Sequence, residues 1–159
     1  MTVATALQTI GTFATAAIAW LVLEFIGRPL RKFFDLRGEI IRRLVQFANV
    51  RARYRAVPDD SGATSGEFED LGLSTDEIKQ LDVAQEVYRD LAAQMSAFAE
   101  NETLALKVAW LLGCNPLGAS AGLIGLSNSL QEYGPERRFH KKALSEGLKL
   151  KNMPGLPAG

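Results

Sequence analysis

The spacing of apolar residues changes character several times along this chain, and each change predicts an element. From Val3 to Ile26 the run VATALQTIGTFATAAIAWLVLEFI is apolar throughout and holds no charge before Glu24. At about 1.5 Å of rise per residue it is roughly 36 Å long, enough to cross a hydrocarbon core about 30 Å thick. It predicts one transmembrane helix over 3–26. Met1 to Phe13 contains no Lys or Arg, whereas a cleavable signal peptide starts with a positive segment. Ala17-Ile18-Ala19 has the form of a cleavage site but lies inside the apolar run, so the stretch is expected to stay as an anchor.

Gly27-Arg28-Pro29 follows, and proline disfavours helix at the residue before it. The anchor is therefore expected to close there with a kink. Beyond it, apolar residues return at helical spacing. Leu30, Phe33, Phe34, Ile41, Leu44, Val45 and Ala48 fall on one face, with Arg31, Lys32, Arg42 and Arg43 on the other. This predicts a basic amphipathic helix over 28–56, lying beside the membrane. Val57 to Gly72 is rich in Pro, Gly, Ser and acids and reads as a flexible linker.

Residues 73–151 return to helical periodicity. Ser74-Thr75-Asp76-Glu77 has the form of a capping box, opening a helix with Leu81, Ala84, Tyr88, Leu91, Met95 and Phe98 as its apolar stripe. Asn101 or Thr103 is expected to cap a helix from Leu104 to Leu112, ended by Gly113. Pro116 suits the first position of the next helix, whose Gly118, Gly122 and Gly125 make sense where another backbone comes close. A last basic helix runs from Glu136 to Lys151, with Phe139, Ala143, Leu144 and Leu148 as its stripe, and 152–159 reads as a disordered tail. The fold class predicted is all-α: one transmembrane helix, a basic amphipathic helix and a small cytoplasmic helical bundle.

Charge adds an orientation. The chain is neutral overall, with 18 basic and 18 acidic residues, but the signs are segregated. Residues 28–55 are net +7, residues 59–102 net −10 and residues 103–159 net +4. The block of positive charge directly after the apolar run places the C-terminal side in the cytoplasm and the N-terminus outside. Trp20 and Phe25 then sit at the cytoplasmic headgroup level, and Glu24 can pair with Arg28 one turn later. A second span over 104–126 would export Arg137, Arg138, Lys141 and Lys142, against the same bias, so this stretch is expected to be a helical hairpin of the soluble core. Arg exceeds Lys and Ala is abundant, which hints at a GC-rich bacterial genome, so the membrane expected to receive the anchor is a bacterial inner membrane.

Candidate chemistry is sparse. Cys114 and His140 are the single cysteine and the single histidine. They form no recognisable nucleophile–base signature, and together they are too few for a zinc site of usual ligand number. No enzyme activity, cofactor, metal, nucleic acid or small-molecule substrate is expected. Two surfaces remain. Gln8, Gly11, Thr15 and Ala19 recur at helical spacing along one stripe of the anchor, and small residues let a second membrane helix approach. Arg31, Lys32, Phe33, Phe34, Arg42 and Arg43 suit an anionic lipid surface. The function expected is that of an accessory protein. It would hold its helical domain beside a larger membrane partner, or self-associate through the anchor. The alternatives are a regulator that binds anionic lipid and, third in order, a membrane-tethered enzyme using Cys114 or His140.

Overall fold

A computed structural model of the 159-residue chain describes residues 3–58 and 64–150. The expected tail and the 59–63 part of the expected linker lie outside the described residues. The chain is mostly helical. Helix α1 (Val3–Val22) passes through a five-residue π-helical segment (Leu23–Gly27) into α2 (Arg28–Gln46). The break expected at Gly27-Arg28-Pro29 is absent: the helix does not close there, and Gly11–Gln46 forms one helix of 36 residues. The π turn explains why. Proline in an α-helix lacks an N–H and crowds the carbonyl four residues back. Here the backbone N–H of Arg28 bonds to the Leu23 carbonyl, five residues back, which widens the turn just ahead of Pro29. Gly27 and Arg28 both keep right-handed helical dihedrals.

The buried stripe of α2 is Pro29, Phe33, Leu36, Ile40 and Leu44, continued by Phe47. It is rotated from the predicted face, and Phe34 and Val45 are exposed. Apolar residues occupy two neighbouring stripes of α2, and the one that ends on Phe47 meets α3 (Thr75–Asn101). The two helices run antiparallel: Phe33 packs on Phe98 with ring centroids 5.3 Å apart, and Phe47 meets Tyr88 edge-on at 5.9 Å. The capping box is formed in full. The Ser74 hydroxyl accepts from the Glu77 N–H, and the Glu77 carboxylate accepts from the Ser74 N–H at 2.9 Å.

Glu102 separates α3 from α4 (Thr103–Leu111) and supplies no side-chain cap. Asn101, expected as a cap, instead donates back to the Ala97 carbonyl of its own helix. Gly113, at φ +81°, makes the turn, and Asn115 caps α5 (Pro116–Asn128) by accepting the Gly118 N–H at 3.0 Å. Helix α5 is antiparallel to α3. The Ser96 and Ser120 hydroxyls lie 2.8 Å apart, and Gln85 donates to the Ser127 carbonyl. Helix α6 (Pro135–Gly147) returns along α5 at glycine contacts. A Cβ on Gly122 would lie 2.8 Å from the Leu144 backbone nitrogen, and one on Gly147 would lie 2.6 Å from that of Ala119.

The helix expected over 28–56 ends at Gln46, and strands occupy its last expected residues and much of the region read as a flexible linker. β1 (Tyr54–Pro58) pairs antiparallel with β2 (Thr64–Asp70) across an irregularity between Ala56 and Pro58. A two-residue strand, β3 (Glu132–Tyr133), adds in parallel on the other edge of β1, so the order is β2-β1-β3. Pairing with a distant strand, rather than local composition, decides the state of these residues.

Candidate functional site

The distinctive surface begins on the long helix. Phe13, Ile18, Trp20, Leu23 and Phe25 are all more than half exposed, and only 6% of the most apolar 18-residue window is buried. This helix is long and apolar enough to span a membrane. Of the expected stripe, Gln8 lies on helical backbone, with its side chain outside the described residues. Gly11 is open, with nothing within 4 Å of where a Cβ would stand. The Thr15 hydroxyl donates to the Gly11 carbonyl at 2.9 Å, so its polar group is satisfied within its own helix. Ala19 is exposed. Glu24 and Arg28 form the expected pair at 2.7 Å.

The six residues expected at a lipid surface separate into three groups. Arg31, Lys32 and Phe34 are exposed. Phe33 is not available to lipid: its exposure is 0% because it packs against Phe98 in the core. Arg42 and Arg43 converge on Glu39, at 2.6 and 2.7 Å. Hydrogen bonds from Arg42 and then Arg43 hold the Glu39 carboxyl down at about 2, so it stays charged and offsets part of their positive charge. The outward cationic patch is therefore narrower than the sequence suggests and lies at the start of α2.

Cys114 and His140 are not brought together. Cys114 is buried just before α5, whereas the His140 ring packs over Gly125. Gly125 lies nine residues along α5 from Pro116, about 14 Å, and Cys114 stands before the start of that helix. No group of three or more His, Cys, Asp or Glu side chains among the described residues could hold a metal ion.

Two features were not foreseen. A cleft of about 750 Å³ opens between the chain after α2 and the start of α6, lined by Arg51, Arg137, Arg138 and Lys141. Burial, reinforced by neighbouring Arg137, pushes the Lys141 ammonium below its usual pKa. The second is the placement of α4. It packs on the π segment and on α2, with Ala105, Leu106 and Ala109 inward. Leu104, Trp110 and Leu111 are left exposed. The run TLALKVAWLL is apolar on both faces, and that was its only signal in the sequence.

The chain matches no family model, no curated protein and no solved structure.

Proposed function

We propose that this chain is a membrane-anchored interaction protein that holds its helical domain at the cytoplasmic face, beside a larger membrane partner or a second copy of itself. One observation carries the reading: the same uninterrupted helix is bare and apolar over its first half and built into the core over its second. Such a helix is a lipid anchor and a structural element of the domain at once. A removable leader is a poorer fit, because residues 23–27 pack on α4. The cationic flank, with Arg31 and Lys32 exposed, supports an inside C-terminus. The open stripe at Gly11, Thr15 and Ala19 supports lateral helix contact. In this reading the chain has no catalysis of its own.

A reporter active only outside the cytoplasm, fused after Gly159, tests the topology. It is expected to be silent, and an active fusion overturns the orientation. Replacing Gly11 and Thr15 with isoleucine should preserve insertion and reduce recovery of the native-gel complex. Unchanged migration and co-purification would remove the stripe as an interface. Anionic lipid is the second reading, favoured by the exposure of Arg31, Lys32 and Phe34 at the membrane end of α2.

A further inference from the structure

We propose that α4 lies in the headgroup region of the cytoplasmic leaflet as a second, non-spanning membrane contact. Leu104, Leu111 and Leu112 would face the acyl chains, with the Trp110 indole at the headgroup boundary beside them. The inference rests on the membrane-spanning reading of the N-terminal helix and adds to it.

Three independent features of α4 lead there. The first is position. α4 packs against Leu23–Gly27, where the apolar helix ends and the cationic flank begins. A span ending at those residues brings α4 to the membrane surface. The second is direction. α2, α3 and α5 run antiparallel in turn, as the Phe33–Phe98, Phe47–Tyr88, Ser96–Ser120 and Gln85–Ser127 contacts show. α4 is bent 90° from α5. It therefore lies across the end of the bundle from which the apolar helix departs, as a helix in the membrane plane would.

The third is chemistry. Leu104, Lys107 and Leu111 repeat at three and four residues, so they share one face of α4, and Leu111 is 87% exposed. Trp110 and Leu112 flank that face at 52% and 45% exposure. In water this is an unusual cluster for a nine-residue helix whose other side is already buried. In an interface it is a common composition: leucines reach the acyl boundary, the indole sits at the headgroups, and a lysine extends its stem toward phosphate. Cations stand on the α2 side and at its C-terminal end. Arg28, Arg31 and Lys32 begin α2, and the Lys149 ammonium donates to the Leu112 carbonyl at 3.1 Å. Glu100 and Glu102 stand at the N-terminal edge of α4, where a helix start favours carboxylates. The partner chosen by this surface is an anionic bilayer, continuous with the one that receives α1.

The two tryptophans make the test direct. Trp20→Phe leaves Trp110 as the sole indole, and Trp110→Phe leaves Trp20. Each full-length variant is reconstituted into phosphatidylcholine vesicles with a minor share of phosphatidylglycerol, with or without brominated acyl chains. Both indoles should lose about half or more of their emission to the bromolipid. Loss at Trp20 with none at Trp110 overturns the α4 contact alone and leaves that face to a protein partner. No loss at Trp20 overturns the spanning reading itself. Adding Leu111→Asp to the Trp20→Phe variant should relieve most of the Trp110 quenching, without unfolding the domain, because Leu111 makes little contact with it. Quenching unaffected by that charge would mean that the indole meets lipid by another route, and would also overturn the proposal.

Discussion

Phe33 and Phe34 are adjacent in sequence and have opposite surroundings, which makes them a sharp test of how α2 sits. Phe33 has 0% exposure and stacks near Phe98, while Phe34 is 42% exposed. Truncating a fully buried phenylalanine to alanine costs about 3–5 kcal/mol, from lost transfer energy and the cavity left behind. The ring contact with Phe98 contributes about 0.5–1.5 kcal/mol within that figure. Phe33→Ala should therefore remove a large part of a domain stability that is typically about 5–15 kcal/mol. Phe34→Ala should cost under about 1 kcal/mol, having no cavity to leave. With a urea slope of about 2 kcal/mol per M, the Phe33 variant should unfold about 1.5–2.5 M earlier than the parent. Far-UV circular dichroism of the full chain in a non-ionic detergent measures both midpoints. A Phe33→Ala midpoint within about 0.5 M of the parent, with weakened binding to anionic vesicles, would put Phe33 at the lipid surface and refute the packing of α2 on α3.

Other outcomes follow from the same reasoning. Gly122→Ala should lose about 1–2 kcal/mol, because its methyl would press on the Leu144 backbone by more than the helix-propensity gain returns. Gly38→Ala, with open space around it, should gain about 1 kcal/mol; equal shifts in the two melting temperatures would refute the close α5–α6 approach. Burial pushes the Tyr88 phenol up to about 12, against a weaker opposite pull from Arg137. The unfolded chain ionises first, so this contribution is intact below pH 10 and is lost as pH rises from 10 toward 12; Tyr88→Phe should flatten the alkaline limb of a stability–pH curve. Ser74→Ala should cost about 1 kcal/mol and speed amide exchange in the first turn of α3, and unchanged exchange would show the cap to be idle.

What could be read from the sequence was what short-range chemistry decides. The Glu24–Arg28 pair, the Ser74–Glu77 box and Pro116 at the start of α5 each depend on residues within one turn. Gly122 and Gly125 were legible as sites of close approach, although nothing local said that Leu144 and His140 would approach them. The misreadings share a cause. β1 and β2 exist because each finds the other, and β3 comes from residues 132–133, far along the chain. The face of α2 was ambiguous because its apolar residues span two stripes, and only α3 selects between them. The break at Gly27-Arg28-Pro29 was a sound inference from α-helical geometry, and a π turn removed its premise.

That π turn matters most for the proposed role. A hinge after the anchor would let the domain swing freely and would transmit only a tether's length. A continuous helix transmits direction as well, provided the domain grips it firmly. Three elements do so at different heights. α4 packs beside Leu23–Gly27 and α3 covers Phe33 to Phe47. Arg37 donates to the Leu148 carbonyl at 2.9 Å, fastening the end of α6 to the same rod. Rotation of α2 would have to break an aromatic contact, a charge-assisted hydrogen bond and the α4 packing together. In the proposed role, an orientation chosen by a partner helix along Gly11, Thr15 and Ala19 would thereby be imposed on the whole domain. The same coupling would work in reverse: with α4 on the leaflet as proposed, the anchor would have its depth and rotation set from the domain side before any partner arrived.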